Sequence, residues 1–195
     1  KGFADMAPYY GKLGAGNTGW GDAGVVCPYV LYRTYGDTRV IEAHYAQMRR
    51  HVMTLTASST NHIRGAGAYG DWLNVGGGAK GEVCGTAYQV YLADLMAEMA
   101  CAIGKNDDAA TFGAMAREAR DAFQKTFFKE DGSIAESSQT GYALTFTMGL
   151  VPDALREKAA AKFKGEVERF KGCVATGFIG TPRLLTGLHE AGLDA

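Results

Sequence analysis

Both tryptophans of the chain stand beside an aspartate in a glycine-containing segment. The first segment is Gly19-Trp20-Gly21-Asp22, and the second is Gly70-Asp71-Trp72-Leu73. An indole face can pack against the C–H face of a sugar ring while a neighbouring carboxylate accepts hydrogen bonds from the sugar hydroxyls. The alternative is that the indoles are packing residues and the aspartates cap helices, as Asp22 could at a helix start. The candidate carbohydrate-binding residues are therefore Trp20, Asp22, Asp71 and Trp72.

Two glutamates in the predicted long loops, Glu82 and Glu136, could act as a general acid or base. Glu82 is the better candidate because it stands just before the predicted helix that contains Thr86. Most loop glutamates are simply solvated, so the sequence leaves the identity of any catalytic acid and base open.

Other motifs give no support for a cofactor or a metal. Gly14-x-Gly16-x-x-Gly19 matches the dinucleotide-binding fingerprint, but no predicted strand precedes it, so we interpret it as a product of the glycine-rich composition. His44 and His51 lack the His-Glu-x-x-His pattern of zinc proteases, and packing or surface roles are expected for them. The sequence predicts no metal site and no organic cofactor.

Apolar periodicity predicts an all-helical fold, since no segment alternates with the period of a strand. Seven helices are expected, over residues 22–35, 38–57, 85–103, 107–128, 138–149, 153–169 and 177–191. The first, third, fifth and seventh carry few charges and the others carry many. A helix that is apolar nearly all round is buried, whereas a one-sided charged helix faces water. The chain therefore alternates inner and outer helices, as in an arc of an α/α toroid.

The loops alternate in the same way. Connections that lead into inner helices are the longer ones, above all residues 58–84, and both tryptophans precede inner helices. Layered hairpins bring these loops to one end, where binding and catalytic residues concentrate. We therefore expect both indoles, with the carboxylates of Asp22 and Asp71, to converge on one concave wall.

Composition excludes some classes of partner. The 195 residues carry 20 Lys and Arg against 21 Asp and Glu, so no charge excess favours nucleic acid or an anionic membrane. No apolar run approaches the roughly 18 residues of a membrane span. The scattered cysteines are expected to be free thiols, although two disulfides are conceivable in an oxidising compartment, and the compartment stays open; these are Cys27, Cys84, Cys101 and Cys173.

An ordered set of short motifs resembles the bacterial α-L-rhamnosidase family of glycoside hydrolases over nearly the whole chain. The matching motifs are Gly19-Trp20-Gly21-Asp22-Ala23, Leu31-Tyr32-Arg33-Thr34-Tyr35-Gly36-Asp37, Gly70-Asp71-Trp72-Leu73, Thr86-Ala87-Tyr88, Gln139-Thr140-Gly141-Tyr142-Ala143-Leu144 and Thr176-Gly177-Phe178-Ile179-Gly180-Thr181-Pro182. The resemblance implies that residues 1–195 form part of a six-hairpin (α/α)6 catalytic domain and that the remainder of that domain is a partner.

The same resemblance implies an inverting hydrolase that removes terminal L-rhamnose with two glutamates. It places Trp20 and Trp72 along the rhamnose pocket, with Asp22 and Asp71 near the sugar hydroxyls. The family's acid motif should precede Trp20 and its Trp-Glu base motif should follow the 176–182 segment, but neither is found here. Both catalytic glutamates are therefore expected outside this chain, which should be inactive alone.

Two alternatives remain at this point. The chain could belong to a six-hairpin glycosidase that acts on another sugar, or it could be a non-catalytic helical module that binds carbohydrate or protein. A helical solenoid is disfavoured because the predicted inner helices begin at 22, 85, 138 and 177, without a constant repeat.

Overall fold

The chain is all-helical, as the sequence predicts. A computed structural model describes residues 2–8, 14–65, 67, 69–76, 78–79, 81–135 and 137–194. Within these ranges there are seven α-helices: α1 (Ala23–Tyr35), α2 (Arg39–Ala57), α3 (Gly81–Ala102), α4 (Asn106–Phe127), α5 (Gln139–Thr147), α6 (Arg156–Arg169) and α7 (Thr181–Glu190). A 3-10 turn at Asp153–Leu155 leads into α6. Pairing between extended segments in these ranges is limited to three isolated β-bridges.

The helices form two layers. In the inner row α1 contacts α3, α3 contacts α5, and α5 contacts α7. The outer helices pack behind them: α2 against α1 and α3, α4 against α3, and α6 against α5. α3 and α5 are buried on nearly all sides, which explains why their sequences are apolar without a polar face.

The core fills the space between the two layers. Met48 of α2 and Phe112 of α4 pack with Met96 of α3, all fully buried. Further along the row, Phe163 of α6 stacks on Tyr142 of α5 with their ring centroids 5.7 Å apart. The apolar stripes of the outer helices therefore bind the inner row from behind and leave its loop end free.

Two helix starts lie four residues from their predicted positions because of tertiary contacts. α3 begins at Gly81 rather than at residue 85. Gly85 lies inside the helix, where a Cβ would stand 2.7 Å from the Arg64 carbonyl oxygen, so the glycine permits close packing of the loop. α7 begins at Thr181 rather than at residue 177, because the backbone amides that precede it bind a side chain described below.

The two end helices of the inner row expose apolar side chains. On α1 these are Val30, Leu31 and Tyr35, and on α7 the exposed apolar side chain is Leu185. Large exposed apolar side chains are typical of surfaces against which further protein packs.

The described helices and cysteines add two observations. No described helix combines the length and the apolar character that crossing a membrane requires. Cys27, Cys101 and Cys173 are exposed free thiols, whereas Cys84 is buried with its Sγ 3.7 Å from the Ala79 carbonyl oxygen.

Close packing between α5 and α7 yields a stability prediction. A Cβ on Gly187 would lie 2.9 Å from the Ala143 Cα, so Gly187→Ala must push the two inner helices apart. We expect it to lower the free energy of unfolding by about 1–3 kcal/mol, measured by urea denaturation.

Gly165→Ala is the matched control. Gly165 lies in α6, and nothing would stand within 4 Å of its added Cβ. Alanine favours a helix over glycine, so this variant should be more stable than wild type by about 0.5–1 kcal/mol. Equal stability of the two variants would contradict the close packing of α5 on α7.

Candidate functional site

Four aromatic side chains meet at the end of the inner row where the helices begin. Trp20 lies 5.1 Å from Tyr69, 6.3 Å from Trp72 and 6.2 Å from Phe178, measured between ring centroids. Tyr69 also contacts Trp72, at 5.6 Å. The four rings come from the loops that precede α1, α3 and α7. We call this group (Trp20, Tyr69, Trp72 and Phe178) the aromatic wall.

The aromatic wall is accessible to solvent. Trp72 is 45% exposed and Phe178 is 59% exposed, while Trp20 and Tyr69 are half-buried. Contiguous exposed aromatic surface on a folded domain usually marks a binding site. The convergence of the two indoles therefore matches the expectation from the loop pattern.

Asp71, next to Trp72, does not contribute its carboxylate to this surface. It is 3% exposed, and its oxygens accept hydrogen bonds from the backbone amides of Gly177 (2.8 Å), Ile179 (2.9 Å) and Gly180 (3.1 Å). The Thr140 hydroxyl at the start of α5 donates to the same carboxylate. Asp71 thus ties the loop before α3 to the first residues of α5 and to the segment before α7.

These hydrogen bonds fix Trp72 relative to Phe178. The Phe178 amide donates to the Trp72 carbonyl at 2.9 Å, and the Val75 amide donates to the Ala175 carbonyl at 3.0 Å. Two backbone bonds and one shared carboxylate therefore hold the loops of residues 69–76 and 173–180 together. The positions of the Trp72 and Phe178 rings therefore depend on the same set of hydrogen bonds.

Asp22 is likewise buried, with 0% exposure, beneath Trp20. It accepts hydrogen bonds from the Gly19 amide (2.9 Å) and from the Arg64 guanidinium, whose Nη1 lies 3.1 Å from Oδ2. His51 Nε2 lies 3.1 Å from Oδ1. Because His51 Nδ1 accepts a hydrogen bond from the Phe3 amide, the ring hydrogen is on Nε2, which donates a hydrogen bond to Asp22. The carboxylate is satisfied within the protein and holds the turn that carries Trp20.

The four sequence candidates thus separate by side-chain type. The two indoles share an exposed surface, whereas the two carboxylates are buried behind it and bonded to protein groups, as the packing alternative described. Asp22 nevertheless occupies the N-cap position of α1 without a side-chain capping bond to that helix. Sugar contact by any of these residues stays a prediction.

Sequence reasoning missed two members of the aromatic wall and two of its supports. Tyr69 directly precedes the Gly70-Asp71-Trp72 segment, and Phe178 lies inside one of the family-like motifs, so both had a local signal. His51 and Arg64 reach Asp22 from 29 and 42 residues away, and no spacing rule announces such contacts.

The remaining sequence predictions concern the candidate catalytic glutamates and a metal site. Glu82 is exposed in the first turn of α3, and Glu136 lies outside the described residues. Within the described part of the chain, no group of three or more His, Cys, Asp or Glu side chains could hold a metal ion. Tyr88 is a buried core residue, and its burial raises the pKa of its phenol to about 12.

The described residues thus form layered helical hairpins with an aromatic wall where the inner helices begin. The chain belongs to the family described as bacterial alpha-L-rhamnosidase 6 hairpin glycosidase domain, which it matches over residues 2–194. This membership confirms the resemblance and the fold class drawn from the sequence.

Individual relatives agree with this assignment. The chain is 42% identical over 190 residues to an alpha-L-rhamnosidase of Streptomyces avermitilis, covering 97% of this chain and 18% of the relative. It is 30% identical over 185 residues to one of Formosa agariphila, covering 90% and 20%. The solved S. avermitilis alpha-L-rhamnosidase complexed with L-rhamnose superposes with a TM-score of 0.93 at 42% identity, covering 98% of this chain and 18% of that one. The chain therefore spans about a fifth of the length of these relatives.

The role of Asp71 as a support can be tested by Asp71→Ala. Loss of the carboxylate leaves three backbone amides without their acceptor, so we expect the free energy of unfolding to fall by about 2–4 kcal/mol. The tryptophan emission should also shift to longer wavelength, because both tryptophans lie in the aromatic wall and would gain water contact.

Asp131→Ala is the control for removal of a carboxylate. Asp131 also accepts a backbone amide, from Ser133, but it is exposed. Water replaces such a bond, so the variant should unfold and fluoresce nearly as wild type does. An Asp71→Ala protein that behaves like this control would remove Asp71 from the support of the wall.

Proposed function

We propose that this chain is part of the catalytic domain of an enzyme that hydrolyses terminal α-L-rhamnose, and that Trp20 and Trp72 of the aromatic wall line its rhamnose pocket. The observation that carries the proposal is the meeting of Trp20 and Trp72 on one exposed surface, with ring centroids 6.3 Å apart. Membership of the rhamnosidase family and the L-rhamnose complex of the S. avermitilis relative support it.

The chemistry of the wall suits this sugar. L-rhamnose is a 6-deoxy hexose, so one end of its ring carries a methyl group in place of a hydroxymethyl group. Indole faces pack favourably against C–H groups and a methyl group, and this contact excludes water from the indole surface. Trp20 and Trp72 therefore hold the apolar side of the sugar and leave its hydroxyls to polar groups.

In this proposal Asp22 and Asp71 do not contact the sugar; they position the tryptophans that do. Their oxygens are occupied by protein donors, so each aspartate fixes the turn that carries its neighbouring tryptophan. A rigid pair of indoles loses little conformational entropy when a ligand binds, which favours affinity.

The reaction proceeds by inversion with two carboxyl groups supplied from outside this chain. A protonated carboxyl donates its proton to the leaving oxygen, while a carboxylate on the opposite face removes a proton from the attacking water. Such a pair stands roughly 6.5–9.5 Å apart so that the water fits between. The residues described here bind and orient the rhamnose ring, and the hydrolysis needs no metal or organic cofactor.

The purified 195-residue chain should not release L-rhamnose from an aryl α-L-rhamnoside, because the proposal places the acid and the base outside it. A colorimetric assay of the released phenol checks this. Turnover by the chain that disappears in Glu82→Gln would contradict the placement of the catalytic carboxylates.

Trp72→Ala tests the sugar contact in the full-length protein. Truncation of an aromatic binding residue should weaken the binding of rhamnose-containing ligands by about 1–3 kcal/mol, measured by calorimetry. Thermal stability should change little, since the Trp72 side chain is 45% exposed.

Leu73→Ala is the matched control, because Leu73 is also exposed and follows Trp72 directly. It should bind these ligands as wild type does. A large loss of stability in Trp72→Ala with unchanged affinity would show that the indole is a packing residue.

A further inference from the structure

Phe178 is the member of the aromatic wall that the rhamnose pocket leaves unexplained. It is 59% exposed and contacts the wall through Trp20, at a centroid distance of 6.2 Å. Tyr69, by contrast, packs between both indoles. Phe178 therefore extends the wall on the Trp20 side by one ring.

The backbone at Phe178 is held with unusual firmness for an exposed loop. Its own amide donates to the Trp72 carbonyl at 2.9 Å, and the amides of Gly177 and Ile179 on either side donate to Asp71. The Gln139 side chain secures the preceding residues, accepting from the Ala175 amide and donating to the Cys173 carbonyl, each at 2.9 Å. A large apolar side chain is thus presented to solvent on a fixed turn, an arrangement that favours binding of a ligand.

The two loop segments that carry Trp72 and Phe178 expose further apolar side chains. Val75 and Val174 are exposed on the two segments joined by the hydrogen bond between the Val75 amide and the Ala175 carbonyl. An apolar surface of this kind favours an apolar ring over another hydroxyl-rich sugar.

We propose that Phe178 forms a second binding position beside the rhamnose pocket, which takes an aromatic ring attached to the rhamnose. The proposal rests on the function proposed above, because it places the sugar on Trp20 and Trp72. Phe178 neighbours Trp20, with ring centroids 6.2 Å apart, so a ring attached to a sugar that packs on Trp20 lies next to Phe178. Phe178 is then a residue that determines specificity for the group released by hydrolysis.

The test compares methyl α-L-rhamnoside with phenyl α-L-rhamnoside in titrations of the 195-residue chain. Tryptophan fluorescence is the readout, since both tryptophans of the sequence lie in the wall. Wild type should bind the phenyl glycoside about threefold to tenfold more tightly than the methyl glycoside, as one aromatic contact provides. Phe178→Ala should bring the two affinities together without weakening the methyl glycoside.

Two further variants define the specificity of this effect. Phe178→Tyr retains an aromatic face and should keep the preference for the phenyl glycoside. Leu185→Ala removes another exposed apolar side chain, on α7 and outside the wall, and should leave both affinities unchanged. The proposal is overturned if Phe178→Ala keeps the phenyl preference, if it weakens both glycosides equally, or if wild type has no preference.

Phenyl β-D-glucoside and methyl β-D-glucoside separate this proposal from the function on which it rests. If the chain binds methyl α-L-rhamnoside no better than methyl β-D-glucoside, the rhamnose pocket fails. A phenyl preference that disappears in Phe178→Ala for the glucosides as well would still support the second position. Absence of binding by every glycoside would overturn both.

Discussion

The buried carboxylate of Asp71 holds the loop ends of α3, α5 and α7 in place. It accepts from three backbone amides that precede α7 and from the Thr140 hydroxyl of α5. Amides at the start of a helix have no partner within it, and a negative charge there also interacts favourably with the helix dipole. The loop before α3, the start of α5 and the start of α7 consequently share one anchor, and Trp72 and Phe178 take their positions from it.

Asp22 performs the corresponding task beneath Trp20. Its carboxylate joins the turn before α1 to His51 of α2 and to Arg64 in the loop before α3. A buried charge is tolerated when it is paired and hydrogen-bonded on all sides, and breaking such a pair is costly. The two Trp–Asp motifs therefore share one arrangement: the indoles form part of the aromatic wall, and the carboxylates lie buried behind it. In each motif the aspartate holds the loop in place, and the tryptophan provides the exposed surface.

The fold could be predicted from the sequence because the distribution of apolar and polar residues around each helix indicates how deeply that helix is buried. α3 and α5 are apolar all round and are buried, whereas α2, α4 and α6 carry a polar face and are not. The alternation of loop lengths then implied that both indoles lie at the same end. The sequence could not show that the two aspartate side chains turn inward. The partners of Asp71 lie 69 to 109 residues away, and an aspartate can accept hydrogen bonds equally from water or from protein groups. The helix starts at Gly81 and Thr181 were missed for the same reason, since loop contacts rather than local preferences set them.

The central claim is that the two indoles of the aromatic wall bind one L-rhamnose molecule together. The sequence has two tryptophans, so a ¹H–¹⁵N spectrum of the chain contains two indole N–H signals. Titration with L-rhamnose should shift both signals along the same binding curve, giving one dissociation constant, while D-glucose should shift neither. Indole signals that stay in place, or that follow two different curves, would contradict the account.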